Sequence, residues 1–197
     1  MKFTLASTLL PLLATAAPAQ QRDSSNSTAS STPSTFGIMS ARSGSPIHLL
    51  PLNANSGGFY LGGNTSSYCP ISSGCPAGTE TVFAGDGSAL DVEVPGGQQV
   101  YVAPSGALTF TVPHSAYIPA GSSTGPFKYT PGKPFGTWTF TGAGATGFMA
   151  CPDEGNKWQV FAATQNATVP SGNVADCLGF DALAVATNGS VAAWEYI

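Results

Sequence analysis

Charge is the first thing this chain has little of. Six Lys/Arg and ten Asp/Glu in 197 residues make 8% of the sequence, against roughly a quarter in an average domain. A net charge of −4 with so few cations leaves no basic patch to displace counterions from phosphates, so neither nucleic acid nor anionic lipid is an expected partner. Histidine is nearly as scarce, with only His48 and His114. A C-x5-C pair and two distant histidines lack the ligand number and tight spacing of a zinc site, so no metal and no cofactor is expected. Long apolar runs are missing as well. Leu5–Ala14 is about half of the roughly 20 residues that cross a bilayer, and it contains Pro11. Room for helices is equally short. The 24 Gly and 16 Pro leave the body of the chain one uninterrupted 14-residue stretch, Asn156–Val169, which itself alternates apolar with polar residues. Low charge does not here mean disorder, because 42% of the chain is hydrophobic.

What is present starts with the N-terminus. Lys2, the apolar Leu5–Ala14 and the small-residue sites Ala14-Thr15-Ala16 and Ala17-Pro18-Ala19 predict a secretory signal peptide over residues 1–19. Without Lys2, five cations face ten anions, a net charge of −5. Residues 20–35 follow as a leader; from Asp23 to Thr35, nine of thirteen residues are Ser or Thr, the composition of an O-glycosylated stalk. Residues 36–197 are expected to form a single domain, exported and held by no membrane after cleavage. The expected location is extracellular or in a cell wall. Its oligomeric state is open.

Export implies an oxidising compartment. Cys69, Cys75, Cys151 and Cys177 allow three pairings. Proximity within YCPISSGCP favours Cys69–Cys75, which leaves Cys151–Cys177. Asn26, Asn64, Asn166 and Asn188 head N-x-S/T sequons and are candidate glycosylation sites on surface loops.

Beyond residue 35 the chain alternates short apolar runs with Gly, Pro, Ser and Asn. Leu90, Val92 and Val94, then Leu108, Phe110 and Val112, then Trp138 and Phe140 recur with period two, the mark of half-buried strands. The expected fold is all-β: about twelve short antiparallel strands with almost no helix, in a β-sandwich or a β-trefoil-like barrel.

Several motifs invite chemistry. Gly142, Gly144 and Gly147 spell G-x-G-x-x-G, but Pro152 and Gly155 forbid the helix that must hold a pyrophosphate. Gly121–Gly125 matches G-x-S-x-G inside a proline-flanked loop rather than a strand-to-helix elbow. His48 reads as part of an alternating strand and His114 as part of a turn. Asp91 and Glu93 lie two apart on one predicted strand face, a spacing compatible with glycosidase carboxylates. The rings of Tyr60, Tyr101, Tyr117, Tyr129, Trp138, Trp158, Trp194 and Tyr196, with the amides of Gln98 and Gln99, suit either a core or sugar stacking.

Four blocks then carry a resemblance: SARSGSPIHLLPLNANSGGFYLGG, PGGQQVYVAPSGALTFT, GTWTFTGAGATGFMACPDEGNKWQVF and DCLGFDALAV. In this order, over residues 36–197, they resemble the PhiA-type cell-wall proteins of filamentous ascomycetes, relatives of which carry the label IgE-binding protein. The second half is distantly similar to the C-terminal domain of PIR wall mannoproteins, without the glutamine repeats of covalent wall attachment. The resemblance implies an exported wall or culture-fluid protein linked to phialide and conidium development, some members being allergens, with no catalytic residue to transfer. The expected function is therefore a non-catalytic, wall-associated glycoprotein touching cell-wall polysaccharide. The alternatives are a glycoside hydrolase using Asp91, Glu93 or Asp181, and an effector or allergen that binds a host protein.

Overall fold

The computed structural model describes residues 35–187, 189 and 192–197. The signal peptide, the leader up to Ser34 with Asn26, and Asn188 lie outside the described residues. Apolar alternation broken by glycine and proline produces short strands. In chain order these are β1 (Thr35–Ala41), β2 (Leu52–Asn55), β3 (Gly58–Leu61), β4 (Ser67–Tyr68), β5 (Phe83–Ala84), β6 (Ala89–Leu90) and β7 (Val100–Val102). The second half adds β8 (Leu108–Phe110), β9 (Phe127–Thr130), β10 (Gly136–Phe140), β11 (Phe148–Pro152), β12 (Trp158–Ala162), β13 (Leu178–Ala186) and β14 (Glu195–Tyr196). The only helical geometry among the described residues is three 3-10 turns, at Gly142–Gly144, Glu154–Asn156 and Val174–Asp176. The all-β expectation holds, and every ladder is antiparallel.

β13 organises the sheet because it is long enough to serve several neighbours. One edge pairs with β1 from Phe36–Ala186 to Ala41–Asp181. The other edge is divided: β11 takes Leu178 to Phe180 and β10 takes Ala182 to Ala184. From β11 the sheet continues through β12 and β3 to β8 and β7, and from β1 through β5 to β6. The two ends, β6 and β7, touch at one bridge, Ala89–Gln99. One bridge is no ladder, and the sheet branches at β13 and β3, so no closed trefoil-like barrel forms. The sheet instead folds over itself. Four strands lie between Phe59 on β3 and Phe83 on β5 in sheet order, yet their rings are 5.4 Å apart.

The core is aromatic. Strand β1 alternates buried and half-buried residues, as its period-two sequence requires, and buries Phe36 and Ile38. Trp138 on β10 is 1% exposed and stacks on Phe127 at 5.2 Å and Phe148 at 4.6 Å; such pairs contribute roughly 0.5–1.5 kcal/mol each beyond area burial. Its indole N–H donates to the Asp86 carbonyl at 3.1 Å. Gly87, at φ +89°, passes so close to that indole that a Cβ would overlap it. A smaller cluster of Ala107, Met149, Cys151 and Phe161 packs on the other side of the β11–β12 pair.

The C-terminal residues lock three loops. The backbone of Tyr196 exchanges hydrogen bonds with the buried Gln98 amide at 2.8 and 3.0 Å. Its phenol donates to the Glu80 carbonyl at 2.7 Å and accepts from the Val82 N–H at 3.1 Å. Ile197 adds backbone bonds to Ser56 and Ser66.

Two local readings are corrected. His48 does not alternate in a strand. SPIHLL forms a turn with Leu49 at φ 59°, and His48 Nδ1 accepts the Arg42 N–H at 3.2 Å. Asp91 and Glu93 do not share a strand face either. β6 ends at Leu90, and Val92 makes only an isolated bridge to Ala193.

Candidate functional site

The cysteine pairs close as proximity suggested. Cys69–Cys75 staples an exposed loop, and Cys151–Cys177 ties β11 to the turn before β13. All four cysteines are thus structural, with no free thiol among the described residues.

The motif glycines are also structural. Gly142–Gly144 form a single 3-10 turn with Ala143 at φ 53°, and strand β11 follows, so no helix N-terminus faces the loop. A Cβ on Gly142 would collide with the Gly125 carbonyl and the Phe140 ring, which is why glycine stands there. In the G-x-S-x-G stretch the Ser123 hydroxyl donates to the Gly125 carbonyl at 2.9 Å, and the Ser123 backbone pairs with Val102. That serine is tied down within its own turn.

The carboxylates are dispersed. Asp91 is half-buried and accepts the Ala192 N–H at 3.2 Å. Burial pushes its pKa above the ordinary 3.8, and that hydrogen bond opposes the rise only in part. Glu93 is exposed. Asp181 lines an open cleft with Arg42 and Phe148, where the Arg42 guanidinium donates to the Gly179 carbonyl at 2.7 Å. No second carboxylate lines that cleft.

Most of the aromatic rings are spent on the core. Trp138 and Tyr196 are fully buried and Tyr101 nearly so. Tyr129 stacks on Phe36 at 4.7 Å, and Trp158 packs against the main cluster. Lys157 Nζ covers the Tyr60 ring at 5.0 Å; burial first, and the nearby Asp153 second, push the Tyr60 phenol pKa up. Trp194 is half-buried. Of the eight rings singled out by sequence, only Tyr117 stands open, at 73% exposure. Gln98 is no surface amide but a 2%-exposed strut under Tyr196.

Gln99 has the opposite fate. Alternation along the strand turns it outward at the mouth of a groove of about 380 Å³, lined by the Pro95–Gly97 turn, Gln99, Thr111, His114, Ser115 and Ala116. The β7–β8 hairpin builds this groove. Its register, Tyr101–Thr109 and Val100–Phe110, continues outward so that Gln99 meets Thr111, with the Gln99 N–H on Thr111 Oγ1 at 2.9 Å. His114 at φ 59° turns the chain back, and Ser115 Oγ accepts the Tyr117 N–H at 3.1 Å. No carboxylate, lysine or arginine lines this groove. The sequence named Gln99 and His114 separately; hairpin register is the signal that joins them. Of the sequon asparagines, Asn64 and Asn166 are both exposed. Asn64 also lines a further cavity of about 380 Å³ against β1, which the sequence did not reveal.

No solved structure matches this chain. An uncharacterized secreted protein of Arthroderma benhamiae is 43% identical over 194 residues, covering 95% of each chain. The family model described as PhiA-like secreted protein matches residues 36–197, and the chain belongs to that secreted family.

Proposed function

We propose that this secreted protein is a non-catalytic, glycosylated component of the fungal wall that contacts neutral polysaccharide through the Gln99–His114 groove. The observation that carries this reading is the groove's lining: amide, hydroxyl and imidazole groups without a fixed charge, with the exposed ring of Tyr117 next in the chain after the lining residues Ser115 and Ala116. Neutral sugars present hydroxyls to such groups and C–H faces to such rings, and they gain nothing from charge. The part in phialide and conidium development implied by the sequence resemblance belongs to the same reading, as wall assembly during sporulation.

The experiment is sedimentation of the purified protein with insoluble β-glucan, chitin and whole fungal wall, with sugar assayed in the supernatant. Binding without sugar release, weakened at least fivefold by Gln99→Ala or Tyr117→Ala, is the expected result. Protein that stays in the supernatant with every polysaccharide refutes the reading. One observation favours a second reading, a glycoside hydrolase: burial shifts the Asp91 pKa upward, the direction in which a general acid is tuned. Released sugar that disappears in Asp91→Asn would establish it instead.

A further inference from the structure

The cavity beside Asn64 lies between β1 and the β2–β3 hairpin. Strand β1 contributes Gly37 and Met39, and Val185 of β13 adjoins them in register opposite Gly37. A side chain at 37 would enter this space: a Cβ there meets only the Thr81 carbonyl oxygen, at 3.9 Å. The opposite wall is polar and already braced. Asn53 Nδ2 donates to the Gly63 carbonyl at 3.1 Å, Thr65 Oγ1 donates to Asn53 Oδ1 at 3.1 Å, and the Thr65 and Thr81 hydroxyls are 2.9 Å apart. Glu80 is the single charged residue of the lining. A cavity of about 380 Å³ falls within the ~300–1,000 Å³ of small-molecule sites, and this one admits a pyranose ring.

Asn64 itself is part of the lining, is exposed, and heads the sequon Asn64-Thr65-Ser66. Its carbonyl accepts from Asn55 Nδ2 at 3.0 Å, which fixes the backbone; among the described residues no hydrogen bond engages its side-chain amide. We propose that this cavity is the seat of the first sugar of a glycan carried by Asn64. In the secretory pathway the Asn64 amide nitrogen bonds to the anomeric carbon of a lipid-diphosphate-linked oligosaccharide. The nitrogen loses one proton, and the lipid diphosphate leaves with the electrons of the broken bond. The attached residue, an N-acetylhexosamine, brings an apolar methyl and a C–H ring face for Met39, Pro51 and Val185. Its hydroxyls face the Asn53, Thr81 and Glu80 side. A tethered sugar needs only weak intrinsic affinity, because a short link holds it at millimolar effective concentration. Asn166 lines none of the three cavities described above.

The test uses the full chain secreted from a fungal host. Site-resolved mass spectrometry reads the occupancy of Asn64, and endoglycosidase digestion is timed on native and denatured protein. The expected result is an occupied Asn64 whose glycan is released at least tenfold more slowly from native than from denatured protein. Gly37→Val, whose branched side chain projects from the β1 wall into the cavity, should bring the two rates within twofold, and Gly37→Ala should fall between. A sugar-free Asn64 overturns the proposal. So does native release as fast as denatured release, or protection unchanged in Gly37→Val and Gly37→Ala proteins that fold. Because the readout is enzyme access at Asn64, failure of wall binding through the Gln99 groove leaves this result standing, and the converse also holds.

Discussion

Two residues show how much a single side chain carries in a fold with few charges. Tyr196 looks like one more aromatic near a chain end, yet its phenol satisfies a buried N–H and a carbonyl from a segment more than 100 residues away in sequence. Tyr196→Phe keeps the ring and orphans both groups. Each unsatisfied buried group costs about 1–3 kcal/mol, so the variant should lose about 2–4 kcal/mol in urea unfolding, while Tyr117→Phe at the open surface should lose none. Asp91 makes the pH-dependent case. Its folded pKa lies above the unfolded value, so its contribution to stability is fully present below about 3.8 and fades as pH rises through the higher folded value. Asp91→Asn should remove that fade: relative to the variant, the parent protein should lose stability between about pH 4 and neutrality. Thermal melts of both proteins across that range check it, and parallel curves would refute it.

At the scale of elements, the two disulfides differ in what they restrain. Cys151–Cys177 spans 26 residues and joins β11, at the buried Cys151, to the lead-in of the central strand β13. Cys69–Cys75 spans 6 residues of an exposed loop. Loop-closure entropy assigns about 3–4 kcal/mol to the first and about 2 kcal/mol to the second. The Cys151→Ala/Cys177→Ala double variant should therefore melt well below the Cys69→Ala/Cys75→Ala double variant, and mild reductant should open the exposed loop first, as read by alkylation and mass mapping. The pattern of elements was largely legible beforehand. β1, β8, β10 and β13 were visible because each alternates against a core on one face, and β12 because its apolar run packs on both faces. β2 and the SPIHLL turn were not. The same apolar residues that suggest a strand, Ile47 and Leu50, are held by a turn whose hydrogen bonds come from Ser40 and Arg42, partners that local pattern does not reveal.

Across the whole molecule, the first and last described strands are both essential to the topology. β1 pairs along β13, and β14 with its neighbours pins Ser56, Ser66, Val82 and Gln98. Deleting Glu195–Ile197 should abolish cooperative unfolding and expose apolar surface to a dye such as ANS, not merely lower the midpoint. A truncated chain with a sharp transition would show that the C-terminal lock is dispensable.

The sequence by itself determined the class of fold, the disulfide chemistry and the secreted family. These depend on period-two alternation, on the spacing of cysteines and on composition, all of which are local or pairwise along the chain. Tertiary structure alone decided which polar and aromatic groups remain available for function. Adjacent Gln98 and Gln99 look alike as letters, but strand alternation buries one beneath Tyr196 and turns the other to the groove. Nor does the sequon mark Asn64 as special; what distinguishes it is the space left by Gly37 on a strand more than 25 residues earlier. Burial is a property of the folded-over sheet, set by residues distant in sequence, and no local pattern contains it.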